Sequence, residues 1–459
     1  MKQVKRLFIQ ILAIAACICI YSSCSGDDYI NAIPENSNAL IAVDCKAVSE
    51  RQTGQQDNNL LMSLFKINNV DDCGIDLASR LFFFETTDGN LGLCAKVDDE
   101  DNLKSWLKEL AKDATCSKLT EKRDMTFTLL KGAWAVGFNG KALVVIGPIL
   151  PAQQPDAIRS IAKYLKQDED NGIKNSPLYE KLDSIDSPVA MVAQASALPE
   201  KLSAPFTIGT PKGADVSQIF IAAAIKTATG GCLNIEGESF ALNKDIDKGL
   251  KTNISKFRKI NGRYVNNIPG NTLCAIFMNI KGTDLVDMMQ SNAALGSLLV
   301  GMNTAVDMDN ILRSADGDLA FGIASYSEDK INMSMAMQLA KTDFLDDIGY
   351  WKKSCPSGST IENCGKNSFC FKSSDVNFWF GVSDSKEFYG STDKDTALGI
   401  LSAAKNPLPV EVRKNIEGQR FCMTMNIRQL LDENKEFCTF ADMLKPLFGN
   451  INNIIYYIR

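Results

Sequence analysis

Short apolar runs with strand-like spacing recur along the chain, and turns or helical segments separate them. Leu81–Glu85 and Leu91–Val97 are two such runs, with Asp88-Gly89 between them. An Asp-Gly pair in this setting predicts a hairpin with a type I′ turn, because both central residues of that turn need positive φ. The next segment, Asp101–Lys112, has the apolar spacing of an amphipathic helix. The pattern therefore predicts antiparallel hairpins with helices between them, which is an α+β fold.

This succession of elements occurs twice. Tyr29–Pro34 reads YINAIP, and Tyr264–Pro269 reads YVNNIP at the corresponding place in the second half. We call Tyr29–Pro34 the first entry and Tyr264–Pro269 the second entry. The elements predicted after the second entry are Leu273–Asn279, Leu319–Ser325 with Ile331–Leu339, Thr342–Lys353, a hairpin turning at Asp384-Ser385, Asp395–Ala404 and Phe421–Asn426. Their counterparts are Ala39–Asp44, the first hairpin, Asp101–Lys112, a hairpin turning at Asn139-Gly140, Asp156–Lys166 and Val189–Ala195. We predict two homologous tandem units over residues 29–262 and 263–459, each a hairpin-rich antiparallel sheet packed with helices.

The second unit is predicted to be the shorter one. The first ends with a hairpin, Val216–Thr227 and Cys232–Leu242, and a helix, Asn243–Phe257. Ile451–Arg459 aligns with the first strand of that hairpin, so either the chain is truncated or the second unit lacks the closing strand and helix. The strand that ends at Arg459 then has an unpaired edge open to another chain, unless an element of the first half covers it. The sequence leaves both arrangements open.

The N-terminus has the pattern of a lipoprotein signal. Basic residues precede an apolar run, Leu7–Ile20, and polar residues follow Cys24 directly. The run is too short for a membrane-spanning helix, so residues 1–23 are predicted to be a signal peptide that is removed, leaving a lipid on Cys24. Cys17 follows smaller residues and is the competing site. Cleavage before Cys17 leaves apolar residues at the new terminus, which favours Cys24.

The predicted anchor limits where the first unit can lie. Residues 24–28 form the linker between the lipid and the Tyr29 entry, and four residues span at most about 15 Å. We therefore expect a protein held close to the outer membrane, on its periplasmic face or at the cell surface. This closeness favours an envelope protein in or near the same membrane as partner.

Composition excludes several functions. The net charge is −6 and no long basic stripe occurs, which disfavours nucleic-acid binding. Histidine is absent from all 459 residues, so Ser-His-Asp, Cys-His and His-ligated zinc chemistry are excluded. The chain is long enough for two or more cores.

Cysteines fit a structural role better than a metal site. The chain has 14 cysteines and no C-x-x-C pair. Most lie in apolar strand-like runs, as Cys94, Cys274 and Cys422 do, where a thiol acts as a small hydrophobe. A cluster of three cysteines, Cys355, Cys364 and Cys370, is able to hold one disulfide, but it lacks four-ligand zinc spacing.

The remaining motifs favour structure over catalysis. S-x-x-K occurs seven times, for example at Ser105 and Ser391, without the accompanying motifs of serine acylases. We interpret Trp134 and Trp379 as the same position in the repeat and as core residues. If they were exposed, they would suit stacking on a sugar ring. The acidic run at Asp98–Asp101 is predicted to open a helix. Met333, Met335 and Met337 are predicted to line a core face of a strand.

The lipid site, the YxNxIP entry, the duplication and the length together resemble a Bacteroidetes lipoprotein family known only as a domain of unknown function (family 4836). The resemblance covers nearly the whole chain after the signal. It implies no activity, so no catalytic residue is carried over. Ser25–Asp28 also resembles the acidic tag that directs such lipoproteins to the cell surface.

These observations predict a lipid-anchored envelope protein that works by binding or assembly and is not an enzyme. Catalytic, cofactor-binding and metal-ligating residues are not predicted, and lipidation of Cys24 is the one predicted site. The first alternative is a surface glycan- or peptide-binding lipoprotein. The second is a carboxylate-dependent hydrolase, since paired acids distant in sequence leave no motif.

Overall fold

The computed structural model describes residues 26–45, 47–48, 73–197, 206–292, 295–297, 299, 306–326, 331–433 and 450–459. The chain forms two compact units. The first comprises the described residues within Met1–Ala197, Ile221–Lys226 and Glu436–Ile451, and the second those within Leu198–Phe220, Thr227–Lys435 and Asn452–Arg459. Both units contain antiparallel strands and helices. The prediction that antiparallel strands and helices occur together is therefore confirmed.

The first unit is built on one antiparallel sheet. Its strands are β1 (Ala39–Val43), β2 (Leu81–Glu85), β3 (Leu91–Lys96), β4 (Thr120–Glu121), β5 (Thr126–Leu130), β6 (Trp134–Phe138), β7 (Ala142–Gly147) and β8 (Val189–Gln194). Its helices are α1 (Glu100–Lys112), α2 (Gln154–Tyr164) and α3 (Pro177–Asp183). Neighbouring strands pair in the order β8-β1-β2-β3-β7-β6-β5-β4.

Helix α1 has a capped N-terminus and buries one apolar face against the sheet of the first unit. The Asp99 carboxylate caps the helix by accepting hydrogen bonds from the Asp101 and Asn102 N–H groups, both at 2.9 Å, and the predicted acidic helix start is confirmed. Leu103 and Leu107 lie on the buried face of α1 and belong to the same core cluster as the strands. The polar face remains in solvent, which is the arrangement that the spacing predicted.

The predicted type I′ turn between β2 and β3 is wrong. The Gly89 N–H donates to the Thr86 carbonyl at 2.9 Å, so the loop is one residue longer than a type I′ hairpin allows. Among residues 86–90 only Gly89 has positive φ, at 76°. This is a type I turn followed by a left-handed glycine, which needs one residue with positive φ and not two.

Strand β9 (Ile219–Ala228) is divided between the units, and the remaining elements belong to the second. The strands are β10 (Cys232–Ala241), β11 (Cys274–Lys281), β12 (Ala315–Tyr326), β13 (Ile331–Leu339), β14 (Thr360–Gly365), β15 (Ser368–Lys372), β16 (Asn377–Val382), β17 (Glu387–Ser391), β18 (Phe421–Asn426) and β19 (Asn453–Ile458). The helices are α4 (Lys244–Ser255), α5 (Gly282–Ser291), α6 (Met308–Arg313), α7 (Ile348–Ser354), α8 (Lys394–Gly399), α9 (Val410–Arg413) and α10 (Ile427–Glu433).

Pairing in the second unit follows the order β10-β19-β18-β11-β12-β13-β17-β16-β15-β14. All of these pairs are antiparallel except β10–β19, which is parallel. From β18 to β14 the order has the same form as that from β8 to β4 in the first unit. Strand for strand, β11 stands where β1 does and β17 where β7 does.

The strand near the C-terminus has partners on both sides. β19 pairs with β18 and with β10, so of the two arrangements that the sequence left open, the covered edge is the one observed. β10 and α4 precede residue 262 but group with the second compact unit because β10 runs along β19. The boundary at 262 is predicted from the repeat in the sequence and stays a prediction, since the compact units divide the chain at other places.

Large apolar side chains fill the second core. Phe277, Phe380 and Phe388 are at most 1% exposed. Met335 and Met337 are buried in a core cluster with Phe380 and Phe388, as predicted for the methionine stripe, whereas Met333 is only partly buried and lies outside that cluster. The helix predicted over Thr342–Lys353 forms as a 3₁₀ segment followed by α7.

Candidate functional site

The predicted lipidation site, Cys24, lies outside the described residues, as do the signal segment and Cys17. The chain becomes buried almost immediately after the first described residue, Gly26. Asp27–Ala32 forms a 3₁₀ helix in which Tyr29 and the three residues after it are buried. Any attachment at Cys24 is therefore joined to the first unit by residues 25–28 alone.

Tyr29 fixes this entry segment to the sheet. Its hydroxyl donates to the Arg80 carbonyl at 2.7 Å, and its own carbonyl accepts a hydrogen bond from the Cys94 thiol at 3.3 Å. Burial raises the pKa of the Tyr29 hydroxyl, so the group remains a neutral donor. Gly172 packs directly against the backbone of this segment, since a Cβ at Gly172 would lie 2.6 Å from the Asn31 Cα.

Residue Asp28, the last before Tyr29, lies at the surface. Its carboxylate is 3.4 Å from the Lys141 Nζ, and both side chains are more than half exposed. An ion pair of this kind contributes little to stability and is screened by salt. Asp28 and Lys141 therefore mark where the predicted linker leaves the first unit without holding it there firmly.

At the second entry, the tyrosine hydroxyl donates to a carboxylate in a charged network, whereas at the first entry it donates to a backbone carbonyl. Arg263 donates two hydrogen bonds to the Glu387 carboxylate, at 2.9 and 3.1 Å, and the Tyr264 hydroxyl donates a third at 3.0 Å. Ser385 donates a fourth at 2.8 Å. Glu387 begins β17, and its side chain is buried while the Arg263 side chain is half exposed.

Asp318 of β12 anchors the chain just before this tyrosine. Its carboxylate accepts hydrogen bonds from the Asn261 N–H at 3.0 Å, the Arg263 N–H at 2.9 Å and the buried Asn279 amide at 2.7 Å. Gly317 makes this geometry possible, since it has φ of 139° and Gln338 fills the place of its Cβ. The result is a rigid polar joint between the entry segment and β12.

These two buried acids are not arranged for catalysis. Burial alone would raise the pKa of Glu387, but the hydrogen bonds from Arg263, Ser385 and Tyr264 outweigh burial and lower the pKa. A carboxylate that stays ionised cannot serve as a general acid, and one whose oxygens already accept four hydrogen bonds is not free to attack a substrate. The network therefore supports a structural role.

A cavity of about 450 Å³ opens between α4 and α5 of the second unit. Its charged lining consists of Lys212, Lys248, Lys256, Asp245 and Asp287. Two of these groups have ion-pair partners, since Lys256 lies 3.3 Å from Asp284 and Asp287 lies 3.1 Å from Arg313. The mixed charges and open shape suit a small polar molecule but select no particular class.

The S-x-x-K serine and the two tryptophans that the sequence analysis named occupy structural positions. The Ser391 hydroxyl donates to the Met333 carbonyl at 2.8 Å and accepts from the Asp393 N–H at 3.0 Å, so it is used for local structure. Trp134 is fully buried, as expected for a core marker. The equivalence of Trp134 and Trp379 is wrong by one residue.

The register of the strands gives the reason for this shift. Gly137 pairs with Val144 on β7, and Gly381 pairs with Tyr389 on β17. Counting back from these glycines places Phe378, and not Trp379, opposite Trp134. Trp379 faces the other side of its strand, where it is half-buried and pairs with Cys370.

The described part of the chain contains neither a metal-binding cluster nor a membrane-spanning helix. Within it, acidic and cysteine side chains do not gather in groups of three or more that would hold a metal ion. Within the same residues, every helix is too short or too polar to cross a membrane. Cys94 and Cys422 are fully buried, as predicted for cysteines that act as small hydrophobes, and burial raises the pKa of both thiols, whereas Cys274 is only partly buried.

Comparisons with known proteins place the chain in a family. A family model described as "Domain of unknown function (DUF4836)" matches residues 38–435, and the chain belongs to this family. Membership of family 4836 is confirmed, whereas the Bacteroidetes source and the lipid anchor stay predictions, and the family description assigns no catalytic activity. A search of the curated proteins and a search of the solved structures each found no match.

Proposed function

We propose that this protein is a lipid-anchored, non-catalytic component of the bacterial cell envelope that binds or assembles with a partner close to the outer membrane. The observation that carries the proposal is the burial of Tyr29, which leaves residues 25–28 as the whole tether to Cys24. A tether of at most about 15 Å holds the first unit against the lipid headgroups. Such a position suits contact with a partner in the same membrane.

We further propose that the two halves arose by duplication. The support is the shared pairing order, β8-β1-β2-β3-β7-β6-β5-β4 and β18-β11-β12-β13-β17-β16-β15-β14, together with a buried tyrosine at each entry. Two related sheets give a protein two similar surfaces, which favours assembly or binding over a single catalytic centre.

The hydrolase alternative has less support. The buried acids near the second entry, Asp318 and Glu387, are saturated by hydrogen bonds from the protein itself. Glycan or peptide binding remains the competing function. Its support is the half-buried Trp379 and the open cavity between α4 and α5, which offers lysine and aspartate side chains to a polar ligand.

The first experiment tests the anchor. Cells that express the full chain are labelled with an alkyne fatty acid, and the wild type is compared with Cys24→Ala and with the matched variant Cys17→Ala. We expect label and membrane attachment in the wild type and in Cys17→Ala, and loss of both in Cys24→Ala. Labelled Cys24→Ala at the membrane would refute the anchor.

The second experiment tests the partner. Crosslinking in cells followed by purification compares the wild type with Cys24→Ala, which lacks the side chain that would carry the lipid. The proposal expects one envelope protein that copurifies with the wild type and is lost with the lipid. Recovery of the anchored protein alone, with glycans or peptides retained on it, would favour the alternative.

A further inference from the structure

The β14–β15 hairpin of the second unit brings two cysteines together. Cys370 of β15 pairs with Glu362 of β14, and the register shifts between Asn363 and Gly365, so Cys364 is the extra residue of a β-bulge. A bulge redirects the side chain of its extra residue. Cys364 follows Glu362, the strand partner of Cys370, by two residues, and its thiol is near enough to the Cys370 thiol to raise the pKa of that group.

The two thiols differ in access. Cys364 is exposed, whereas Cys370 is fully buried. Burial raises the pKa of the Cys370 thiol to about 11, although the Lys372 ammonium acts in the opposite direction. Cys364 is therefore the thiol that solvent and a dissolved oxidant reach first.

Cys355 is separated from this pair by the sheet. Its side chain packs against the core cluster that contains Phe369 and Phe371, and its thiol donates to the Trp351 carbonyl at 3.3 Å. Because side chains alternate along a strand, Cys370 points away from the face that Phe369 and Phe371 occupy. The structure thus separates three cysteines that the sequence grouped together.

We propose that Cys364 and Cys370 are a redox-active dithiol that closes to an intramolecular disulfide. The Cys364 thiol loses its proton, and its thiolate attacks a small-molecule disulfide, which releases one thiol and leaves a mixed disulfide on Cys364. The Cys370 sulfur then attacks the Cys364 sulfur and displaces the second thiol. Two cysteine thiols are oxidised and one external disulfide is reduced to two thiols.

The local structure accommodates this closure. An S–S bond of about 2 Å requires the two sulfur atoms to move closer together. Gly365 and Asn367, with φ of 154° and 51°, lie in the turn that joins the two cysteines, and a Cβ at Gly365 would contact only the Ser368 Cβ, at 3.7 Å. β14 is paired only through β15 among the described strands, so the bond would fasten an edge hairpin.

The test uses the full chain purified in detergent. The protein is equilibrated with oxidised glutathione, remaining thiols are alkylated under denaturing conditions, and tryptic peptides are analysed by mass spectrometry. Trypsin cuts after Lys366, so the expected product is Ser354–Lys366 linked to Asn367–Lys372, with Cys355 alkylated. Cys364 found reduced, or carrying glutathione, would overturn the proposal.

Two variants make the assignment unambiguous. Cys355→Ser should form the same linked pair, because this cysteine lies on the other face of the sheet. Cys364→Ser, which changes an exposed side chain, should abolish the link and leave Cys370 alkylated. Persistence of the linked pair in Cys364→Ser would assign the bond to Cys355 and refute the proposal.

Formation of this disulfide in cells rests on the proposed export to an oxidising compartment. The two proposals fail in different ways. A pair that closes with glutathione but stays reduced in the cell counts against export, whereas a lipidated protein whose purified form never closes the pair counts against the dithiol.

Discussion

Tyr29 and Tyr264 begin the two halves and are equally buried, with 3% and 2% exposure, but their hydroxyls have different partners. The Tyr29 hydroxyl donates to the Arg80 carbonyl, and the Tyr264 hydroxyl donates to the Glu387 carboxylate. A carbonyl keeps the same charge at every pH, whereas a carboxylate does not. The same sequence motif therefore fixes one entry by a neutral contact and the other by one that depends on charge.

This difference shows that the motif specifies the buried tyrosine but not its partner. In the first unit the partner comes from the chain just before β2, and in the second it comes from β17. Hydrogen bonds to charged groups contribute more to stability than neutral ones do. We therefore expect the second entry to be the stronger joint near neutral pH and the more sensitive one to acid.

Asp318→Ala should have the largest effect. It removes the acceptor of two backbone N–H groups and of the buried Asn279 amide, and we expect the free energy of unfolding to fall by about 3 kcal/mol. Urea unfolding measures the loss, and hydrogen exchange in β12 locates it in the second unit. Asp316→Ala removes an exposed ion pair with Arg258 and should cost less than about 0.5 kcal/mol. Equal losses in the two variants would contradict the structural role of Asp318.

Tyr264→Phe and Tyr29→Phe test the comparison directly. Each removes one hydroxyl from a buried tyrosine and leaves the ring in place. We expect a loss of about 2 kcal/mol for Tyr264→Phe, whose partner is charged, and about 1 kcal/mol for Tyr29→Phe. Parallel urea unfolding of the two variants gives the ranking. A larger loss for Tyr29→Phe would reverse the comparison.

The pH dependence of Glu387→Gln sharpens the same contrast. The pKa of Glu387 is lowered in the folded protein, so the carboxylate contributes stability that is fully present above the unfolded-state pKa of about 4.3 and is lost as pH falls through the lower folded pKa. We expect wild type to exceed Glu387→Gln by about 1–2 kcal/mol at pH 7. The gap should narrow as the pH falls below about 4. Unfolding curves at several pH values measure the gap, and a constant gap would contradict the assignment.

The sequence was sufficient to predict most of the strands and about half of the helices, but not the strands β4, β5, β14 and β15. Runs rich in apolar residues placed Leu81–Glu85, Ile331–Leu339 and Phe421–Asn426 at their observed bounds, because each of these strands contributes several buried residues to the core. The turn at Asp88-Gly89 was predicted wrongly, since the dipeptide does not reveal how many residues the loop contains.

The polar joint and the cysteine pair could not be predicted in this way. Glu387 and Asp318 meet the second entry through pairings among β11, β12, β13 and β17, and long-range pairings leave no local pattern. The repeated tyrosine was the only signal at that position. Cys364 was grouped with two other cysteines by spacing, and only the bulge and the alternation of β15 select its partner.

Tyr456 of β19 extends the comparison to a buried hydroxyl that has no hydrogen-bond partner among the described residues. Its ring lies over Gly237, where a Cβ would come within 2.3 Å of a ring carbon. Because the hydroxyl loses water without gaining a bond, Tyr456→Phe should raise the free energy of unfolding by about 1 kcal/mol. The neighbouring Tyr457→Phe is the matched control, because the Tyr457 hydroxyl bonds the Glu236 carboxylate at 3.5 Å and its loss should not stabilise the protein. Thermal and urea unfolding measure both changes. Tyr264→Phe is expected to destabilise the protein. If Tyr456→Phe did the same, the contribution of these hydroxyls to the free energy of unfolding would depend on their packing and not on a hydrogen-bond partner.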